Sequence, residues 1–488
     1  MQFVFLLFLL LGIWELGIGS WQCVNAFFND WSYQTICGTF NNPGPYSIFI
    51  VMILPIAWFY ILRIKSFFVE NYQYRLITIL SIVYILLSFL VLPFSMSRTA
   101  WIAALVSCGI MTCLYISACK HFVIGKGTIT VLICLLVLSM FLLYGLKKNS
   151  ADGRLLIWKV SYSLIKENFV SGVGSGYFSS AYGDAQEKYF RDNKGTEHEK
   201  YIAGAPDFAY NEYIQIIVEY GIKGLLILVF VISYSFYNLS RMNFQYRMPL
   251  MGMFVSLLTV AFFSYPFRNM YTCLLSSCII IIVMLFSTEK ACLRNMIPRY
   301  GFILFSLLLV SWKICSSFGH SGNVKTAYEQ WALLKPHFDA EQYSEITSNY
   351  TVLYPYLKSD AEFLFEYGQC LSNIKQYKES NLILQEGLKY SGDPMFLNIL
   401  GKNYQQLGEY QLAEQMFYKA YYRIPHKIYP LYLLMNLYKE LHQEKEMLSI
   451  AYRIVNHKSK VNSLETEYVK NMVREELLRF HNNKIKRG

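Results

Sequence analysis

Three arginines stand at the edges of long apolar runs, where a charge is costly to keep and is therefore a candidate for function. Arg98 lies in Ser97-Arg98-Thr99-Ala100-Trp101, and Arg154 in Gly153-Arg154-Leu155-Leu156-Ile157-Trp158. Arg268 lies in Tyr265-Pro266-Phe267-Arg268-Asn269. Guanidinium groups sharing one face can grip a phosphate or diphosphate through paired hydrogen bonds. A plainer reading stays open, because interfacial arginines also snorkel or form local salt bridges, and Arg268 suits that reading slightly better.

A second polar group follows in Asp207-Phe208-Ala209-Tyr210-Asn211-Glu212-Tyr213-Ile214-Gln215. If this stretch is helical, Asn211, Gln215 and Glu219 recur every four residues and share one stripe. A polar stripe re-entering a membrane must face protein or a water-filled cavity. Hydrogen bonding between helices would explain it equally. Upstream, Gly172-Val173-Gly174-Ser175-Gly176 lacks the lysine and the preceding strand of a nucleotide loop. It reads as a tight turn that lets backbone approach a neighbour.

These residues need elements to hold them, and composition says what kind. Of 488 residues, 54% are hydrophobic and only 16% charged, against about 25% charged in ordinary soluble domains. The deficit excludes disorder and points to membrane segments, each needing about 20 apolar residues. Nine candidate spans fall at 2–19, 46–62, 76–94, 99–118, 128–146, 221–238, 249–266, 270–287 and 301–317. The net charge of +11 could suggest nucleic acid. However, Arg63, Lys65, Arg75, Lys120, Lys126, Arg241, Arg247, Lys290, Arg294 and Arg299 all fall in connections on one side. That side is then cytoplasmic, which places segment 147–212 and everything after about 318 outside. No nucleic-acid partner is needed. Most cysteines sit inside apolar runs without metal-ligand spacing, so no metal site is expected. Cys23 and Cys37 share one polar loop; an exported location permits their pairing, and two separate thiols are as consistent.

After residue 320 the apolar runs stop and helical periodicity takes over. Tyr367-Gly368 aligns with Leu400-Gly401, Tyr377 with Tyr410, Leu384 with Phe417 and Gly387 with Ala420. This period resembles tetratricopeptide helix pairs of about 34 residues. Gly401 would let paired helices approach while Phe417 fills the groove, and 321–360 would supply a capping pair. The expected fold is all-α: a polytopic transmembrane bundle over 1–317, then an extracytoplasmic tetratricopeptide-like α-solenoid over 321–488. Side chains such as Asn398 and Lys402 would read a binding face, for an acceptor or a protein partner. A rigid spacer is the alternative role for the repeats.

Taken in order, these pieces resemble the O-antigen ligase and polymerase family of bacterial membrane glycosyltransferases. The resemblance covers about 38–290 and runs through Gly38-Thr39-Phe40-Asn41-Asn42-Pro43, the Arg98 motif, Gly153-Arg154 with Trp158, and the glycine turn. Asn211-Glu212-Tyr213-Ile214-Gln215 and Glu219-Tyr220-Gly221-Ile222-Lys223-Gly224 complete it. What the resemblance implies is glycan transfer from a polyprenyl-diphosphate carrier at the outer face of the bacterial inner membrane. The acceptor would be a lipid, another glycan or a protein, no cofactor would be required, and ligation is favoured over polymerisation. The positions it marks as catalytic candidates are Arg98, Arg154, Tyr210, Asn211 and Glu212, with Trp101, Trp158, Gln215 and Arg268 as substrate-binding candidates. Many members carry a histidine where this chain has Tyr210, and a phenol titrating at about 10 is a poor general base at neutral pH. Glu212, Asp207 or His198 would then be candidate bases. Members also have more spans than the nine counted here, so N-terminal spans would be missing. Two competing functions are a flippase for lipid-linked sugars, which would need polar residues deep in several spans, and a non-catalytic scaffold for envelope assembly.

Overall fold

The computed structural model describes residues 1–28, 36–120, 145, 148–285, 322–458, 460 and 463–487. Among them every regular element is helical. Six helices are long and apolar enough to cross a membrane: α1 (Gln2–Phe28), α2 (Pro43–Leu62), α3 (Tyr72–Phe94), α4 (Arg98–Lys120), α8 (Glu212–Ser240) and α9 (Phe244–Phe263). A shorter apolar helix, α10 (Met270–Leu285), follows. The spans expected at 128–146 and 301–317 lie outside the described residues. Between α4 and α8 stand α5 (Lys148–Glu167), α6 (Phe178–Arg191) and α7 (Glu197–Ile202).

The chain forms two compact units. The first comprises Met1–Lys148, Tyr210–Tyr213 and Leu225–Cys315; the second comprises Asn149–Ala209, Ile214–Gly224 and Ser316–Gly488. In the first, α2 is the central helix, packing against α1, α3, α4, α9 and α10. Asn42 caps it by accepting from the Gly44 N–H at 2.8 Å, and Pro43 occupies its first turn. Pro55 inside α2 has no N–H to give the Val51 carbonyl, and an orphaned carbonyl is expensive in an apolar interior. Ser256 of α9 donates its hydroxyl to that carbonyl at 3.0 Å, and Gly252, one turn earlier, lets α9 approach Pro55 closely. Tyr84 of α3 donates to the neighbouring Ile50 carbonyl at 2.7 Å.

The Gly38–Pro43 motif anchors α1. Buried Glu15 accepts from the Thr39 N–H at 3.0 Å and from its hydroxyl at 2.6 Å. Gln22 accepts the N–H of Cys37 and of Gly38 and donates to the Gly38 carbonyl. Among the described residues no disulfide joins Cys23 to Cys37.

The second unit continues after residue 321 with α11 (Gly322–Asp339), α12 (Tyr343–Leu357), α13 (Ala361–Asn373), α14 (Tyr377–Gly387) and α15 (Pro394–Gln406). It ends with α16 (Tyr410–Arg423), α17 (Tyr429–Glu440), α18 (Glu444–Val455) and α19 (Leu464–Arg487). Each packs on its successor, and α13 and α15 also reach the next helix but one. A side chain on Gly368 would collide with Leu384, and one on Gly401 with Phe417, so the same close approach recurs one period later. Asn403 is buried, donating to Ser380 Oγ at 2.8 Å and Asn381 Oδ1 at 2.9 Å while accepting from Ser372 at 2.6 Å. Asn398, expected on a binding face, is only 2% exposed. It points into the helix packing, because its position alternates inward with Leu397 and Leu400 rather than outward with Lys402.

Candidate functional site

In the first unit, Arg98 opens α4 two residues after Met96, whose φ of +50° lets the chain reverse from α3. Trp101 accepts the helix geometry by donating its N–H to the Ser97 carbonyl at 3.2 Å, and its indole N–H reaches back to the Leu92 carbonyl at 2.9 Å. The α3–α4 corner is thereby fixed with Arg98 at its tip. Thr99 donates to the Phe263 carbonyl at 3.4 Å, at the end of α9.

The Tyr210–Tyr213 stretch belongs to the same unit. Tyr210 holds a φ of +52°, and its ring meets Tyr265 edge-on with centroids 5.5 Å apart. Asn211 accepts the Tyr213 N–H at 3.0 Å, so it caps α8 instead of lying within it. Glu212 begins the helix, 4% exposed, and its carboxylate accepts the Phe267 N–H at 3.0 Å. That bond fixes the 264–269 turn, in which the half-buried Arg268 donates its N–H to the Tyr265 carbonyl. The sequence reading put Asn211 on a helical stripe and did not foresee its capping role or the Glu212–Phe267 bond.

In the second unit, α5 carries Arg154 and Trp158 one turn apart. Leu156, Val160 and Leu164 of α5 bury against Phe178, Tyr182 and Phe190 of α6 and against Val218. A polar chain runs beside this core. Trp158 donates its indole N–H to the Ala209 carbonyl at 2.9 Å, and the Ala209 N–H donates to Gln215 Oε1 at 2.7 Å. Gln215 Nε2 then donates to Glu219 at 2.8 Å, and the Gly176 N–H approaches the same Glu219 oxygen at 3.4 Å. Gln215 and Glu219 therefore do share a buried stripe.

The glycine turn has a partner that sequence reasoning missed. Helix α8 breaks at Gly221, with φ +61° and ψ −148°, a conformation essentially restricted to glycine. The turn is stitched onto the break: Val173 N–H donates to the Val218 carbonyl at 2.8 Å, Gly174 N–H to Glu219 O at 3.0 Å, and Ile222 N–H to Phe169 O at 2.7 Å. A broken apolar helix needs such substitutes for its lost backbone bonds. The available signal was the pairing of two glycine-rich stretches, 172–176 and 221–224, at opposite ends of one polar segment.

The remaining candidate bases lie in this unit as well. His198 Nε2 is 2.8 Å from Asp152, at an exposed position. Asp207 has its pKa raised above the ordinary carboxylate value, first because packing strips water from it and second because Asp393 adds a like charge nearby.

Residues 83–229 match the family model of the O-antigen ligases. This stretch is similar to the O-antigen ligases. It contains Arg98, Trp101, Arg154, Trp158, Tyr210, Asn211, Glu212 and Gln215, as well as the glycine turn and the break at Gly221; Arg268 lies beyond it. No curated protein matches the chain. The match and the six long apolar helices support a multi-pass membrane protein, part of which is similar to the O-antigen ligases.

Proposed function

We propose that this O-antigen ligase-type protein moves a glycan from a polyprenyl-diphosphate carrier onto an acceptor hydroxyl at the outer face of the bacterial inner membrane. The observation that carries the proposal is that the family domain encloses both Arg98 and Arg154. In the reaction the sugar C1–O bond to phosphate breaks, its electron pair leaves with the diphosphate, and the acceptor oxygen bonds to C1. The acceptor proton passes to a carboxylate or to solvent. Negative charge grows on the leaving diphosphate, and fixed guanidinium groups stabilise growing charge more than charge already present. Arg98 and Arg154 are assigned this role, with Arg268 as a further phosphate contact.

Trp101, Trp158 and Gln215 are assigned to substrate binding, and Tyr210 and Asn211 to holding the acceptor. The Glu212 carboxylate, which accepts the Phe267 N–H at 3.0 Å and so orients the 264–269 turn, is assigned as the first base candidate. Asp207, whose raised pKa brings it closer to neutrality, is the second base candidate. Ligation is favoured over polymerisation, and the helices after 321 would lie in the periplasm. The glycan profile of a strain lacking the gene tests this: free lipid acceptor with unattached glycan indicates ligation, single-repeat chains indicate polymerisation, and an unchanged profile contradicts both.

A further inference from the structure

Helices α11–α19 do not leave their surface empty. Helix α6 lies against α16, and the contact is made of groups that cannot be left unpaired cheaply. Arg423 at the end of α16 is 4% exposed, and its Nη2 meets Asp184 of α6 at 2.5 Å. Gln186, 1% exposed, donates to the Arg423 carbonyl at 2.5 Å and to the Gly204 carbonyl at 2.9 Å, while accepting from the Tyr182 hydroxyl at 2.7 Å. Ser180 donates to the Leu388 carbonyl at 2.5 Å, the Gly392 N–H donates to Ser179 Oγ at 3.2 Å, and Tyr177 stacks on Tyr390 with centroids 5.7 Å apart. At the centre the backbones nearly touch: a Cβ on Gly183 would sit 2.8 Å from the Gly392 Cα, and one on Gly392 would sit 2.4 Å from the Ser179 carbonyl oxygen.

We propose that the helices after 321 are a clamp acting within the chain, whose ligand is the chain's own helix α6, and that Arg423 is a positioning residue for the Arg154 segment. The path is contiguous. Tyr422 of α16 packs on the core formed by Phe178, Tyr182 and Phe190, and the same core carries Leu156, Val160 and Leu164 of the Arg154 helix. The carbonyl of Val218, in the same core, accepts the Val173 N–H of the glycine turn. Tyr177, stacked on Tyr390, directly follows Gly176, which approaches Glu219. Loosening Arg423 therefore loosens the turn that stitches the break at Gly221. An anchored arginine with one exposed carboxylate partner suits a fixed intramolecular contact, since burying a charge requires its partner to be always present.

The test is amide hydrogen exchange on the full chain in detergent, comparing wild type with Arg423→Ala, Gly392→Leu and the milder Arg423→Lys and Ser180→Ala. The expected result for Arg423→Ala and Gly392→Leu is at least about tenfold faster exchange at Val173, Gly174 and Ile222, as for loss of a buried charged hydrogen bond. Exchange in α1–α4 stays unchanged, and Arg423→Lys recovers part of the protection. If either severe variant fails to fold, Ser180→Ala must show the same pattern at smaller size. Unchanged exchange in the turn overturns the clamp. The effect on catalysis rests on the transfer reading: kcat should fall in step with lost protection while KM for the donor holds, and full kcat despite lost protection overturns the positioning role. A wild-type chain with no transfer would contradict the transfer reading alone, leaving the exchange result to decide the clamp.

Discussion

Gly172 and Gly221 both hold left-handed backbone conformations and pass so close that a Cβ on Gly221 would lie 2.8 Å from the Gly172 nitrogen. The same Cβ would lie 2.6 Å from the Phe169 carbonyl oxygen, the acceptor of the Ile222 N–H. The break in α8 and the turn that repairs it are thus one feature, built from glycines far apart in the chain.

Substituting Gly221→Ala should cost about 2 kcal/mol or more, from backbone strain together with the lost approach. Thermal unfolding of the purified chain should show a clear drop, whereas Gly204→Ala, with open space around its Cβ, should leave it nearly unchanged. Equal behaviour of the two variants would refute the strain assigned to the break.

Glu15 separates geometry from charge. Glu15→Leu strands the Thr39 N–H and hydroxyl that the carboxylate now accepts, at about 1–3 kcal/mol for buried donors left without partners. Glu15→Gln keeps one acceptor oxygen and should retain more of the stability. Chemical unfolding of the three proteins gives the order: wild type first, the Gln variant next, the Leu variant last.

Asp207 makes stability depend on pH with a definite sign. Its pKa is raised by loss of water around it and by Asp393, so the folded chain holds this proton more tightly than the unfolded chain. The associated stability is complete below the unfolded value of about 3.9 and is lost as pH rises through the folded value. Asp207→Asn should therefore gain on wild type in melting temperature between acid and neutral pH. Asp393→Asn should give a smaller change of the same sign, and it keeps the cap that Asp393 provides to the Met395 N–H. A gain of wild type over Asp207→Asn with rising pH would contradict the assignment.

The proposed periplasmic placement of the C-terminal helices rests on the charge bias of the connections in the sequence, including Lys290, Arg294 and Arg299. An alkaline phosphatase fused after Gly488 should be active, and a green fluorescent protein fusion at the same point dark. The opposite pair of results would place these helices in the cytoplasm and separate them from chemistry at the outer face.

Much of the architecture was legible because it rests on short-range rules. Apolar runs located six long spans, and the recurrence of Gly368–Leu384 as Gly401–Phe417 followed the sequence period. Buried Gln215 and Glu219 on one stripe followed from helical spacing. What stayed illegible depends on distant partners. Nothing local to Gly221 announces that Phe169 and Gly172 will meet it. Asn398 read as exposed because the inward face of a helix is set by its neighbours. The union of 149–209 with the C-terminal helices includes the Asp184–Arg423 pair, which no periodicity connects.

The most direct measurement is transfer of a radiolabelled glycan from a polyprenyl-diphosphate donor to acceptor by the purified full chain, with Arg98→Ala and Arg154→Ala alongside. If the two guanidinium groups stabilise the departing diphosphate, each variant should lose roughly 100- to 1000-fold in kcat, the range for removing one preorganised transition-state donor. Both should remain folded by thermal unfolding. Undiminished transfer by both variants would contradict the account.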